Sequence, residues 1–293
     1  MKKRIPSVSL SRKIISFPLT RIIIALFFVA VATIGRDVSY SLLSDIFLFN
    51  DVGSDLIYMI LTILIVHFSY LLYVKLIERR AVSELSMTGF SKELISGIAI
   101  GFGLFTGIMA IIWGLGYYTI IGINNWTVII SIFTSSVIAG YVEEIVARGI
   151  IFRIVEESLG TWLAVIISAS VFGILHILNP NASVVSSLAI ASTAGVLLAA
   201  SYIYKRRLWL PIGIHFAWNF TQGGIFGVTV SGKERVGLLD ATLDGPELIT
   251  GGSFGPESSI ITVILGFSIG IYFLLNAYRN KKTIAPFWTR NNL

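Results

Sequence analysis

The chain has 293 residues, of which 55% are hydrophobic and only 13% charged, with a net charge of +6 and a mean hydropathy of +0.84. Soluble domains carry about 25% charged residues, so an ordinary soluble globule is excluded. There are no cysteines, which excludes a disulfide framework, a thiolate nucleophile and a Cys-ligated metal.

Several apolar runs reach the ~20 residues that cross a ~30 Å hydrocarbon core. The short alternating segments of a membrane β-barrel are absent. The fold class is all-α: a polytopic transmembrane helical bundle, integral and multi-pass, read as one membrane-embedded domain over 1–293. No internal repeat or low-complexity tract is visible.

Eight spans are expected, at about 19–35, 55–77, 93–118, 126–150, 161–178, 184–204, 209–228 and 259–278. The basic start, Met1-Lys2-Lys3-Arg4 with Arg12, Lys13 and Arg21, resembles a signal peptide. The run that follows ends at Gly35-Arg36-Asp37 without a small-x-small cleavage site, so it reads as an uncleaved first span.

With eight spans and the N-terminus inside, all but three of the 22 lysines and arginines fall on the cytoplasmic side. The exceptions are Arg36, Lys233 and Arg235. Positive charge collects at cytoplasmic ends, so both termini are expected in the cytoplasm and the basic balance implies no nucleic acid. Segment 36–55 carries Asp37, Asp45, Asp51 and Asp55 and suits the interface. The outer connection 229–257, with its Gly251-Gly252-Ser253-Phe254-Gly255-Pro256 stretch, reads as either a mobile connector or a lid.

A charge near a bilayer centre costs about 2.5–3.5 kcal/mol on insertion scales, so ionisable groups inside spans are functional candidates. Glu143, Glu144 and Arg148 lie in or near the fourth span, His176 ends the fifth, and His215 and Asn219 share the seventh. Glu144 and Arg148 are i,i+4 and can pair, whereas Glu143 points about 100° away. His215 and Asn219 are also i,i+4. A pocket with a carboxylate, two imidazoles and an amide has what peptide hydrolysis needs: a base for water and donors for an oxyanion. His67, in the second span, reads as a packing residue. Arg148 lies nearer the cytoplasmic end than Glu143, so access from the cytoplasm is expected.

These residues resemble the CPBP family, the CaaX-protease and bacteriocin-processing membrane proteins also called Abi. Its motifs are Glu-Glu-x-x-x-Arg, here Glu143 to Arg148 followed by Gly149; Phe-x-x-x-His, here Phe172 to His176; and His-x-x-x-Asn, here His215 to Asn219 after Pro211. All three stand in order on separate expected helices, in a family core of about 126–228.

The resemblance implies an intramembrane endopeptidase acting on membrane-associated peptides or on lipidated, prenylated proteins. Glu143 would be the general base, His176 its assistant, and His215 with Asn219 the oxyanion site, while Glu144 and Arg148 would shape the pocket. The family label of metalloprotease leaves zinc open, with Glu143, His176 and His215 as its ligands. No His-Glu-x-x-His is present, and the reading leans to metal-free chemistry. The cysteine-free chain and short loops look prokaryotic, which favours a bacteriocin or pheromone precursor at least as much as a prenylated protein. The alternative is an inactive scaffold or self-immunity protein; a proton-relay transporter would need repeats or paired helix breaks, and neither is visible.

Overall fold

The computed structural model describes residues 10–290, so the basic tetrad Met1 to Arg4 lies outside the described residues. A short helix α1 (Leu10–Ser16) leads into α2 (Pro18–Ile46), and α3 (Asp51–Tyr73) continues through a π-helical turn, Val74–Glu78. After α4 (Phe90–Gly114) comes a strand, β1 (Tyr118–Ile123). Then α5 (Val128–Glu144), a π-helical stretch Ile145–Phe152 and α6 (Arg153–His176) form one continuous run. The helices α7 (Val184–Ile190) and α8 (Val196–Lys205) are joined by the π turn Ala191–Gly195. Helix α9 (Trp209–Asn219) runs into Phe220–Ile225. The chain closes with β2 (Leu239–Leu243), α10 (Glu247–Thr250), α11 (Ile260–Arg279) and α12 (Phe287–Arg290).

Among the described residues, six helical runs are long and apolar enough to cross a membrane, against eight expected. The difference has two local causes. The run Val128–His176 breaks at Gly160, whose φ of 79° and ψ of 169° are not helical. It turns there because the chain before Pro286 packs against that glycine: a Cβ would sit 2.8 Å from the Pro286 nitrogen. The seventh expected span is the short helix Trp209–Asn219 with its π-helical extension, enclosed by protein.

Two connections carry regular structure. The third span ends at Gly114, and the next residues form an antiparallel pair, β1 with β2, in register Tyr118 to Leu243. The acidic segment after residue 35 is still helical to Ile46. There Arg36 pairs with Asp37 at 2.9 Å and lies 4.6 Å from the Tyr58 ring centroid.

Glycines set how closely the central helices meet. On α4, a Cβ at Gly97 would come within 2.4 Å of the Leu210 carbonyl oxygen, and one at Gly101 within 2.4 Å of that of Ile214. This small-xxx-small face lets two backbones touch, as membrane helices need when apolar burial gives no drive of its own. Gly140 does the same for α5, where a Cβ would lie 2.9 Å from the Phe216 nitrogen. So α9 is clamped between α4 and α5, which puts His215 beside the end of α5.

One end of the bundle is tied by ion pairs. Glu78 accepts from Arg80 at 2.7 Å and from Arg153 at 2.6 Å, and pairs with Arg21 at 2.5 Å. Arg206 pairs with Glu156 at 2.5 Å, and Arg207 holds Glu93. Burial works against the charge of Glu84, but Arg80 beside it keeps its carboxyl below the ordinary range. The Tyr70 hydroxyl donates to Glu84 and lies 2.9 Å from the Gly149 carbonyl oxygen, joining this end to the segment after α5. The opposite end holds the strand pair and the folded connection between α9 and α11.

Candidate active site

The adjacent glutamates of α5 have different surroundings. Glu144 is fully buried, and its Oε1 lies 2.7 Å from Arg148 Nη1 and 2.9 Å from His215 Nδ1. Arg148 is also fully buried; its Nη2 donates to the carbonyls of Ala194 at 3.2 Å and Gly195 at 3.0 Å. Its guanidinium also covers the Phe172 ring at 4.7 Å. The pair is thus fixed by the π-helical segment before α8, not by i,i+4 spacing alone. Such irregular turns recur at functional sites, and one follows each of Glu144 and Asn219 here.

The side chain of Glu143 is 43% exposed and makes no hydrogen bond to protein; its Oε2 is 3.9 Å from His215 Nε2. A polar gap of that length suits a bridging water. Glu143 faces a cavity of about 340 Å³, also lined by His176, His215 and Asn219. The structure therefore brings together Glu143, His176, His215 and Asn219, and holds Glu144 and Arg148 behind His215.

His176 is oriented by its own helix. Its Nδ1 lies 2.7 Å from the Phe172 carbonyl oxygen, so the proton sits on Nδ1 and Nε2 keeps a lone pair. Close packing of α6 on α7 fixes that end, since a Cβ on Gly173 would come within 2.4 Å of the Ser187 carbonyl oxygen. His67 stands outside the cavity and bonds through Nδ1 to the Tyr141 hydroxyl at 2.5 Å, which is the packing role expected.

Among the described residues, no three His, Asp or Glu groups are disposed to hold a metal ion. The orphaned buried oxygen Glu144 Oε2 belongs to the carboxylate that Arg148 engages, where a guanidinium repels a cation. Glu143, His176 and His215, the set expected to hold zinc, share one cavity but are not grouped as a metal site among the described residues.

The connection 229–257 is folded into the site. Ser231, Lys233 and Arg235 line the cavity. Glu257, only 2% exposed, accepts the Ser231 backbone N–H and lines a recess with His176, His215, Trp218 and Asn219. Burial pushes its carboxyl up to about 7, against the Ser231 bonds and His215, which pull it down. Gln222 bridges Trp218 Nε1, at 3.1 Å, to the Thr229 carbonyl at 2.6 Å. Sequence reasoning missed these residues; the only signals were two cations off the charge pattern and a glycine-dense stretch before Glu257. The cavity wall runs from Ile151 and Ser168, past Glu143 and His176, to Asn179 and Lys233.

Residues 124–221 match the family model described as Type II CAAX prenyl endopeptidase Rce1-like. A Bacillus subtilis (strain 168) protein named "Putative membrane peptidase YdiL" is 29% identical over 123 residues, 42% of this chain and 46% of that protein. The chain thus spans under half the length of that relative. No solved structure matches it. The resemblance read from the three motifs holds: in this multi-pass membrane protein, the stretch that carries them matches the Rce1-like family model.

Proposed function

We propose that the protein is an intramembrane endopeptidase that hydrolyses peptide bonds of membrane-associated peptides or lipidated proteins. One observation carries the reading: Glu143 is an uncommitted carboxylate on a cavity shared with His176, His215 and Asn219. Its neighbours Glu144 and Arg148 hold the frame instead.

The chemistry follows from where protons can sit. A water between Glu143 and His176 gives one hydrogen bond to the Nε2 lone pair and one proton to the carboxylate. The water oxygen attacks the peptide carbonyl, whose oxygen becomes an oxyanion. The Asn219 amide, which has no hydrogen bond to another described side chain or backbone group, donates to that oxyanion. His215 donates Nδ1–H to Glu144; with a second proton on Nε2 it is an imidazolium facing the cavity, balanced by two carboxylates. The protonated Glu143 then gives its proton to the leaving nitrogen as the carbon–nitrogen bond breaks.

The test uses the purified full-length chain in detergent and a library of internally quenched, N-acylated peptides. Wild type is expected to cleave members of the library, and Glu143→Gln and His176→Gln to lose at least about 100-fold of that rate, the usual share of a general base. Equal cleavage by wild type and Glu143→Gln would sink the assignment. An inert wild type across the library would favour a scaffold role.

A further inference from the structure

Two of the three cations that break the charge pattern stand on the wall of the main cavity. The third, Arg36, is accounted for by Asp37 and Tyr58. Lys233 and Arg235 line the same space as Glu143, His176 and Asn219, and neither side chain makes a hydrogen bond or ion pair with any described residue.

Their position is built, not incidental. Val230 and Lys233 exchange two backbone hydrogen bonds of 2.9 Å, closing a turn through Ser231 at φ 48° and Gly232 at φ 79°. Two left-handed residues make the tightest hairpin turn. The turn is docked on three sides. Gly232 N donates to the Phe254 carbonyl at 2.8 Å, Asn181 Nδ2 donates to the Gly232 carbonyl at 3.1 Å, and Ser231 N–H donates to buried Glu257. A Cβ on Gly232 would overlap the Pro180 carbonyl oxygen at 1.6 Å, so the loop cannot carry another residue there. The stem of Arg235 lies along the helix after Asn219, with its Cγ 3.1 Å from where a Cβ on Gly223 would stand.

A half-buried guanidinium without an anion is unfavourable, and burial lowers the pKa of Arg235 with no carboxylate to offset it. Among the described residues, the one carboxylate lining this cavity is Glu143, which repels any second anion brought there. Lys233 and Arg235 line the same cavity and offset that repulsion.

We infer that Lys233 and Arg235 form a carboxylate-binding subsite, so that the cavity selects peptides bearing a carboxylate close to the bond presented to Glu143. The inference rests on the peptidase reading for the ligand being a peptide. The carboxylate is either the free C-terminus of the peptide or an acidic side chain within it. Charge-assisted contacts of this kind discriminate by about 10- to 100-fold.

Binding separates this from catalysis. The full chain carrying Glu143→Gln, in detergent micelles, is titrated by fluorescence anisotropy with a dye-labelled leucine-rich hexapeptide. The peptide is used with a free C-terminus, with a C-terminal amide, and as the amide with one internal glutamate. One carboxylate form is expected to bind at least about 10-fold tighter than the plain amide, and the tighter of the two names the source. In the background of Lys233→Gln with Arg235→Gln that advantage should disappear while the amide binds as before. Arg235→Lys, which keeps the charge, should retain it, and Lys233→Gln alone, at an exposed position, guards against misfolding. An equal preference with and without the two cations, or no preference at all, overturns the subsite. Carboxylate preference without cleavage by wild type would sink the peptidase reading and leave the subsite standing.

Discussion

Glu144 and His215, 71 residues apart in the chain, meet through a single carboxylate oxygen at 2.9 Å, and the same oxygen holds Arg148 at 2.7 Å. Both members of the ion pair are fully buried. Breaking such a pair by removing one partner costs about 3–5 kcal/mol, because the other charge stays buried and unpaired. Arg148→Met should therefore unfold well below wild type in thermal melts followed by size-exclusion chromatography. Glu144→Gln with Arg148→Met should recover much of the loss, since neither member of the pair is left without the other. A double variant as unstable as Arg148→Met would show that the carbonyl contacts to Ala194 and Gly195 dominate.

Glu143 and Asn219 should separate activity from stability. Neither is committed to a protein hydrogen bond, so Glu143→Gln and Asn219→Ala are expected to melt close to wild type. Loss of one oxyanion donor costs about 100- to 1,000-fold in rate, so Asn219→Ala should fall in that range with its binding constant little changed. Steady-state cleavage of an acylated peptide reads both numbers. A binding defect with an intact turnover rate would move Asn219 from the reacting oxygen to substrate docking.

Glu257 gives the fold a pH dependence. Its carboxyl is pushed up to about 7 by burial, from an ordinary value of 4.5. The folded chain then holds that proton more tightly than the unfolded chain. The stability this lends is complete below the ordinary value and is lost as pH rises through about 7. Thermal midpoints should fall over that interval, and Glu257→Gln should flatten the curve. The emission of Trp218, which lines the same recess, offers a local readout. A midpoint that climbs with pH over the same interval contradicts the assignment.

Gly101→Ala tests the helix clamp. The added methyl meets a backbone oxygen at 2.4 Å, which cannot swing aside. Overpacking of this kind costs about 1–3 kcal/mol. Because α9 would be pushed towards α5, cleavage should fall further than the melt alone accounts for. Gly103→Ala, where nothing lies within 4 Å, is the matched control and should leave both unchanged.

The sequence made the helical membrane class plain, because hydropathy and charge act residue by residue. The division of labour between Glu143 and Glu144 was also readable, since i,i+4 spacing puts Arg148 on the face of only one. The partners of Arg148 were not, because the carbonyls of Ala194 and Gly195 carry no side-chain signal. Nor were the strand pair and the wall around Lys233. Those depend on contacts between segments distant in the chain, Tyr118 with Leu243 for the strand pair and Asn181 and Glu257 with the turn at 231–232 for the wall. The shortness of Trp209–Asn219 escaped hydropathy for a related reason: a helix surrounded by protein is as apolar as one facing lipid.

The docked turn at Val230–Lys233 keeps its backbone fixed through glycine geometry and main-chain bonds, which leaves the side chains facing the cavity free to vary. Replacing Lys233 or Arg235 alters what the wall presents without touching the helices that carry Glu143, His176 and His215. Descendants of one ancestral sequence can therefore part company in what they admit long before they differ in how the central group is arranged. In comparing such descendants, residues 230–235 are the place to look for divergence of preference, and α5, α6 and α9 the place to look for its absence.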